Sequence, residues 1–263
     1  NENYAYSSYS PFSGNYSLEA LKTIGQPNFR RRIEELIDYD LGERIDFTFP
    51  AVKKLYHRDY WLSDETIQEI LDKGKAVGGD LIKILLDLKV NLPYFKKDWK
   101  VKWEHDLLVA DHILYLLIEL NTPEHFLGYL SFLESDKEVL DTWMVDSLIE
   151  DVPDYVAQVG VDFIPEILAF IKNPVNNEFA KYSIMTGLRK LAFWKPDKKP
   201  LIATAFENLL DHFSKEDIRV KSEYTETYGL TWKDEDTLRF LINDIDQLGL
   251  IELKPKIKKV AIA

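Results

Sequence analysis

Five histidines are the first candidates for metal or acid–base chemistry in this chain of 263 residues. His105–Asp106 and Asp111–His112 look like pairs of metal ligands. On one helix, however, His105 and His112 would lie seven residues, or about 10.5 Å, apart, which is too far to bind one ion. The adjacent side chains of Asp111 and His112 would point about 100° apart. The spacing therefore predicts no metal site at these pairs, and we expect the histidines at hinge turns and helix ends.

Acidic side chains are concentrated in one short segment of the chain. The whole sequence has 45 acidic and 33 basic residues, which gives a formal net charge of −12. Residues 133–170 alone hold ten acids and one base, and so account for −9 of that charge. A concentrated charge of one sign is a candidate recognition surface for a partner of opposite charge. The candidate partner-binding residues come from consecutive predicted helices and turns: Asp141, Asp146, Glu150, Asp154 and Asp162.

Three roles are compatible with this acidic segment. Asp146 and Glu150 would share one face of a helix, where like charges four residues apart repel by roughly 0.2–0.5 kcal/mol. A basic protein or peptide would relieve that repulsion, as would a divalent cation, and solvent alone could screen it. Asp151 also has a structural role available, as N-cap of a helix begun by Pro153 with Asp154 at N3. A calcium-binding EF-hand is excluded, because no glycine lies at the centre of a D-x-D-x-D-G pattern.

Two other stretches combine lysines with aromatic residues, as single-stranded nucleic acid binding does. They are NLPYFKKDWKVKW (91–103) and LRKLAFWKPDKK (188–199). Against this, the pI of the chain is about 5.0, whereas nucleic-acid-binding domains commonly have a pI above about 9. We therefore expect these aromatic residues to cover the ends of a helical core. Nucleic acid binding remains an alternative, which would need Trp99, Trp103 and Trp194 on one exposed face.

Several classes of protein are excluded by what the sequence lacks. It has no cysteine, and therefore no disulfide, thiolate zinc site, iron–sulfur cluster or cysteine nucleophile. It has no G-x-S-x-G, Walker A, G-x-G-x-x-G or H-E-x-x-H motif. We predict a non-enzymatic chain with no catalytic residues, cofactor or metal, and keep an enzyme with a metal or carboxylate site as an alternative.

Localisation follows from similar reasoning. No apolar run approaches the roughly 20 residues that a membrane helix needs, so we expect no membrane span. No signal peptide is recognisable at the start of the sequence, and we expect a cytoplasmic protein. Because the chain begins at Asn1, a leader that has been removed stays compatible with this expectation.

The elements that must position these residues are predicted to be helices. Residues 1–17 read as a flexible arm and residues 18–103 as a less regular helical segment. From residue 104 to 263, helices alternate with short Pro or Gly turns, interrupted by a polar insertion at 214–233. Helix pairs that recur at intervals of about 35–45 residues are typical of α-solenoids, so we predict one continuous solenoid. Ser63, Thr122 and Asp151 are predicted N-caps.

Four stretches carry a resemblance to a known family. They are HILYLLIELNTPEHFLGYL (112–130), MVDSLIEDVPDYVAQVG (144–160), FIPEILAFIKNPVNNEFAKYSIMTGLRKLA (163–192) and LRFLINDIDQLGLIELKPKI (238–257). Over about residues 105–263 the chain resembles an uncharacterised bacterial domain-of-unknown-function family with HEAT-like helical repeats. The resemblance implies an all-α fold, a right-handed HEAT/ARM-like α–α superhelix, and supplies no activity or catalytic residues. Some members have a cysteine-rich zinc-binding tail that this chain lacks.

Together, these observations predict a protein-interaction scaffold. We expect the groove of the superhelix to bind a protein or peptide partner, with the acidic segment around residues 134–166 recognising basic groups on that partner. Acidic residues would raise the rate of encounter and fix orientation, while apolar residues of the groove would supply affinity.

Overall fold

The computed structural model describes most of the chain, and the described residues are almost all helical or in turns, which confirms the predicted all-α class. None of the described helices is long and apolar enough to cross a membrane. The predicted arm at 1–17, the predicted boundary at residue 103 and most of the insertion at 214–233 lie outside the described part. The described residues are 45–56, 62–99, 108–144, 146–214, 219–220, 231–232 and 235–262.

The contacts divide these residues into two units. The first unit takes in the described residues up to Leu120 together with Asp141–Met144, and the second takes in the rest. The first unit has a 3-10 turn at Pro50–Tyr56 and another at Gly74–Val77. Its α-helices are α1 (Asp64–Leu71), α2 (Gly78–Trp99) and α3 (Val109–Leu120).

The second unit continues with a longer series of helices. Helix α5 spans the division, since its last residues belong to the first unit. Short 3-10 turns precede several helices, at Pro123–His125, Gly160–Phe163, Pro196–Lys198 and Ile251–Leu253. The α-helices are α4 (Phe126–Leu133), α5 (Lys137–Trp143), α6 (Ser147–Glu150), α7 (Val152–Val159), α8 (Ile164–Lys172), α9 (Glu178–Trp194), α10 (Lys199–Phe213), α11 (Glu235–Gln247) and α12 (Lys254–Ile262).

The described strands are two residues long each. They are β1 (Arg219–Val220) and β2 (Thr231–Trp232), which pair antiparallel with Arg219 opposite Trp232. Both strands lie within the predicted insertion at 214–233.

In the first unit, Asp80 of α2 links that helix to the segment just before the 3-10 turn at Pro50–Tyr56. Its side chain is almost fully buried and its Oδ2 accepts a hydrogen bond of 2.7 Å from the backbone N–H of Phe49. Lys83 Nζ donates to Asp80 Oδ1 at 2.8 Å and to the Asp46 carbonyl at 2.6 Å. A buried carboxylate is tolerable when such donors compensate for its lost hydration. The 3-10 turn at Pro50–Tyr56 is thereby held against α2.

The predicted helix caps have mixed outcomes. Ser63 caps α1 as predicted, since its hydroxyl oxygen accepts a hydrogen bond from the Thr66 backbone N–H at 3.3 Å. Thr122 and Asp151 do occupy N-cap positions, but neither side chain makes a capping hydrogen bond. The Thr122 carbonyl instead accepts a hydrogen bond of 3.0 Å from the Tyr155 hydroxyl. The same carbonyl also accepts a local hydrogen bond of 3.2 Å from the His125 backbone N–H.

Alternate helices of the second unit pack side by side. Helix α7 packs on α9, and α9 on α11, while α8 packs on α10, and α10 on α12. A Cβ added at Gly187 of α9 would lie 2.5 Å from Val156 Cβ and 2.9 Å from the Pro153 carbonyl of α7. Only glycine permits this close approach. The ring of Tyr182 of α9 packs in a tilted arrangement against that of Phe240 of α11, with 4.5 Å between centroids.

Candidate functional site

A groove of about 360 Å³ lies between α4 and α8 in the second unit. Each helix contributes a stripe of residues spaced i, i+3, i+4 and i+7, which is one face of two helical turns. The last residue of each stripe is the C-cap residue of its helix. The stripes consist of Leu127, Leu130, Ser131 and Glu134, and of Glu166, Ala169, Phe170 and Asn173.

The two helices run in the same direction along this groove. Phe126 begins α4 and Phe163 is the N-cap residue of α8, and their ring centroids are 5.0 Å apart. The starts of both helices are therefore neighbours. It follows that Glu166 lies at one end of the groove and Glu134 at the other, with about two turns, or roughly 10 Å, between them along the helices.

The floor of the groove is apolar and its rim is exposed. Leu130 and Phe170 are 6% and 2% exposed, whereas Leu127 on the rim is 47% exposed. Glu134, Glu166 and Ala169 are exposed as well. The site is thus an open groove with an apolar floor, and the carboxylates of Glu134 and Glu166 lie at its two ends.

Aromatic packing below α4 holds this wall of the groove in place. The Tyr155 ring of α7 lies 5.2 Å from that of Tyr129 and 5.8 Å from that of Phe126, between centroids. Burial raises the pKa of Tyr155 to about 12, although its hydrogen bond to Thr122 opposes the shift. Tyr155 therefore stays neutral and acts as a hydrogen-bond donor at physiological pH.

The charge of the groove is uniformly negative. Neither Glu134 nor Glu166 forms an ion pair with a described residue, and the residues lining the groove include no lysine, arginine or histidine. The other polar side chains there are Ser131 and Asn173. Two carboxylates at opposite ends do not converge on one reacting bond, so this arrangement favours binding of cationic groups rather than acid–base chemistry.

The five predicted partner-binding residues lie elsewhere, and none lines the groove. Asp146 and Glu150 are exposed at the two ends of α6 and Asp162 is exposed in the following 3-10 turn. Asp141 is exposed on α5, in the part that belongs to the first unit. The fifth, Asp154, differs from these four.

Asp154 is only partly exposed and already has a basic partner. Lys190 Nζ of α9 lies 2.6 Å from its Oδ1, in a pair whose side chains are 32% and 39% exposed respectively. The Asp154 carboxylate, which we predicted to bind a partner, therefore links α7 to α9 through an ion pair within the chain. Asp141, Asp146, Glu150 and Asp162 form no ion pair with a described residue, and their role in partner binding stays a prediction.

The basic stretch at 188–199 is bound largely to acceptors within the chain. Arg189 pairs with Asp244, Lys190 with Asp154, and Lys198 with Asp197. Lys195 Nζ donates to the Gln158 carbonyl at 3.2 Å.

We expected the aromatic residues of that stretch to cover the end of the helical core, but they do not. Phe193 and Trp194 are 57% and 56% exposed, because they end α9 at a surface turn. Trp103 and the side chain of Trp99 lie outside the described part, so the shared face that nucleic acid binding would need is not described.

The histidines among the described residues lie on three different elements, His112 on α3, His125 in the 3-10 turn before α4 and His212 on α10. Burial lowers the pKa of His112 on α3, and the His212 ring lies 5.2 Å from that of Phe213 between centroids. His57 and His105 lie outside the described part. In the part that the structure describes, no group of three or more histidine, aspartate and glutamate side chains could hold a metal ion.

Comparison of the chain with protein-family models, with curated proteins and with solved structures finds no match. What the site does must therefore be inferred from its own residues.

Sequence reasoning located the acidic segment that supplies both carboxylates of this groove but missed the groove itself. Glu134 and Glu166 stand at the two ends of the segment predicted to be a recognition surface, yet neither was among the five chosen residues. The i, i+3, i+4, i+7 stripe on each helix is a signal that the sequence contains. Its pairing with a second stripe 39 residues further along is visible only in the fold.

Proposed function

We propose that this chain is a non-enzymatic protein-interaction scaffold of HEAT-like helical hairpins, and that its second unit binds a basic protein or peptide. The side-by-side packing of α7, α9 and α11, and of α8, α10 and α12, supports the hairpin part of the proposal. Such stacking of alternate helices is typical of α-solenoids, whose grooves are common binding surfaces.

One observation carries the functional part of the proposal. The groove between α4 and α8 combines an apolar floor with carboxylates at both ends and no basic side chain in its lining. An exposed apolar surface flanked by charges of one sign is suited to a partner with the complementary pattern. Asp146, Glu150 and Asp162 would add long-range attraction and speed encounter, since exposed charges act mainly on the association rate.

Nucleic acid binding is less well supported. The exposed Phe193 and Trp194 could stack on bases, but the neighbouring Arg189, Lys190 and Lys195 are occupied by acceptors of the chain itself. Breaking those contacts would cost free energy that binding to phosphate would have to repay.

Salt-dependent binding to a basic probe tests the proposal. A fluorescent lysine-rich, leucine-containing peptide should bind the full chain at about 0.05 M salt and much more weakly at about 0.5 M, because the Debye length falls. Neutralising Asp146, Glu150 and Asp162 together, by substitution with Asn, Gln and Asn, should slow association. The matched control neutralises three exposed acids elsewhere in the second unit: Glu178, Asp246 and Glu252.

The two triple variants have the same net charge, so the comparison isolates position from total charge. The proposal requires that the first variant lose more of the association rate than the control. Equal losses would mean that the peptide responds only to overall charge, and the scaffold proposal would lose its support.

A further inference from the structure

We propose that the groove between α4 and α8 binds one amphipathic helix that carries basic residues at positions i and i+7 and apolar residues at i+3 and i+4. This proposal rests on the proposed function and specifies the form of the partner. It is argued from the length of the groove, its charge and its apolar floor.

The shape of the groove favours a macromolecular segment over a small molecule. Its volume of about 360 Å³ is at the lower end of the range for small-molecule pockets, about 300–1,000 Å³. Such pockets enclose most of the ligand surface, whereas Leu127, Glu134, Glu166 and Ala169 are all exposed along this one. An occupant would keep one side in solvent, as a helix lying in a groove does.

The positions of the two carboxylates set the spacing of the complementary cations. Because the starts of α4 and α8 are neighbours, Glu166 and Glu134 lie at opposite ends of the two stripes, about two helical turns apart along the helices. A helix aligned with α4 and α8 has the same rise per residue, so its residues i and i+7 are also about 10.5 Å apart and on one face. Lysine or arginine at these positions would meet one carboxylate each.

An extended segment does not fit this pattern. A β-strand covers roughly 10 Å in three residues, but residues i and i+3 point to opposite faces of the strand. In a strand lying flat on the apolar floor, one of the two cations would therefore point away from the groove. In the helix, by contrast, the apolar residues at i+3 and i+4 lie between the cations, where they would contact Leu127, Leu130 and Phe170.

Three labelled peptides of the same composition, apart from the proline substitutions, test the proposal by fluorescence anisotropy with the full chain. The first is a helix-forming peptide with lysines at i and i+7 and leucines at i+3 and i+4. The second moves one lysine to i+5, which places the two cations about 140° apart around the helix. The third replaces two central alanines by proline, which prevents the helix.

The first peptide should bind at least about fivefold more tightly than the other two, since loss of one or two exposed ion pairs and of apolar contact costs about that much. Equal binding of the second or third peptide would overturn the helical assignment.

Substitutions in the groove test whether the peptide binds there. The Glu134→Gln, Glu166→Gln double variant should weaken binding of the first peptide about fivefold, whereas Asp246→Asn, Glu252→Gln should not. Leu127→Ala should also weaken it, and Ile251→Ala, at another exposed apolar residue, should not. Because all of these side chains are exposed, folding should be retained in every variant.

The outcomes separate this proposal from the one on which it rests. If the groove variants bind like the unmodified chain while neutralisation of Asp146, Glu150 and Asp162 slows association, the helix-in-groove proposal is wrong, and what stands of the proposed function is binding of a basic partner through the acidic residues outside the groove. If none of the three peptides binds at about 0.05 M salt, where attraction between charges is weakly screened, both proposals are wrong.

Discussion

Arg189 of α9 and Asp244 of α11 form an ion pair in which Nη1 lies 2.6 Å from Oδ1, and the Asp244 side chain is fully buried. Arg189 also hydrogen-bonds the Gln247 side chain one turn further along α11. The second carboxylate oxygen of Asp244 is buried and has no hydrogen-bond partner among the described residues. Burial raises the pKa of Asp244 to about 6, although Arg189 acts in the opposite direction. The contact between α9 and α11 therefore includes a carboxyl group that is poorly solvated when ionised.

This arrangement predicts a pH dependence of folding stability. Because the folded-state pKa of Asp244 lies above the ordinary value of 3.8, the protonated form favours the folded state. That contribution is complete below about pH 4 and is lost as the pH rises through about 6. The free energy of unfolding of the unmodified chain should therefore fall relative to Asp244→Asn by roughly 1–3 kcal/mol between about pH 4 and pH 7.

Urea denaturation of both proteins at the two pH values measures this difference, and Asp246→Asn, which changes an exposed acid two residues further along, is the control. A constant difference between the unmodified chain and Asp244→Asn across this range would show that Asp244 titrates alike in the folded and unfolded states.

The close packing at Gly187 predicts that substitution by alanine lowers folding stability, which is opposite to the change expected from helix propensity. Alanine is preferred over glycine within a helix by about 1 kcal/mol, so propensity alone predicts that Gly187→Ala is stabilising. The added Cβ would instead meet Val156 at 2.5 Å and the Pro153 carbonyl at 2.9 Å. We expect a loss of about 1–3 kcal/mol in the free energy of unfolding. Thermal or urea denaturation that shows any stabilisation would contradict the close packing of α7 on α9.

The contacts of Tyr155 predict that its hydroxyl and its ring contribute separately to folding stability. Tyr155→Phe removes the 3.0 Å donor of the Thr122 carbonyl, which keeps the His125 backbone N–H at 3.2 Å, and should cost about 0.5–1.5 kcal/mol. Tyr155→Leu also removes the ring contacts with Phe126 and Tyr129, and should cost more. Denaturant midpoints of the two variants give the comparison. If Tyr155→Phe is neutral, the hydroxyl does not fix the start of the 3-10 turn before α4.

The pair of Asp154 and Lys190 predicts a change in stability without a change in binding. Both side chains are about one-third exposed, so Asp154→Asn should cost no more than about 1 kcal/mol. Because Lys190 already occupies this carboxylate, the variant should bind a basic peptide as the unmodified chain does. Affinity that falls with Asp154→Asn as much as with Asp146→Asn would restore Asp154 to the partner-binding residues.

Local features of this fold could be predicted from the sequence, and long-range partners could not. The cap at Ser63 and the helical start at Pro123 follow from residue types within four positions. Asp154 meets Lys190 from 36 residues away, and the Thr122 carbonyl meets Tyr155 from 33. Such contacts depend on which helices become neighbours, and apolar periodicity does not determine that choice.

The groove illustrates the same division. Each of its two stripes is readable as one face of a helix, and the negative charge of the segment is plain from composition. That Leu127 and Glu166 line the same groove depends on how α4 and α8 are placed in the fold. The chemical character of the surface was therefore predictable, while its geometry required the fold.

Methyl NMR of the full chain during titration with the helix-forming lysine and leucine peptide tests the central claim most directly. The claim is that the groove between α4 and α8 binds a basic segment. It predicts saturable shifts of the Leu127 and Ala169 methyl signals, with those of the exposed Leu201 and Ile251 unchanged. Saturable shifts at Leu201 or Ile251, with Leu127 and Ala169 unaffected, would contradict it.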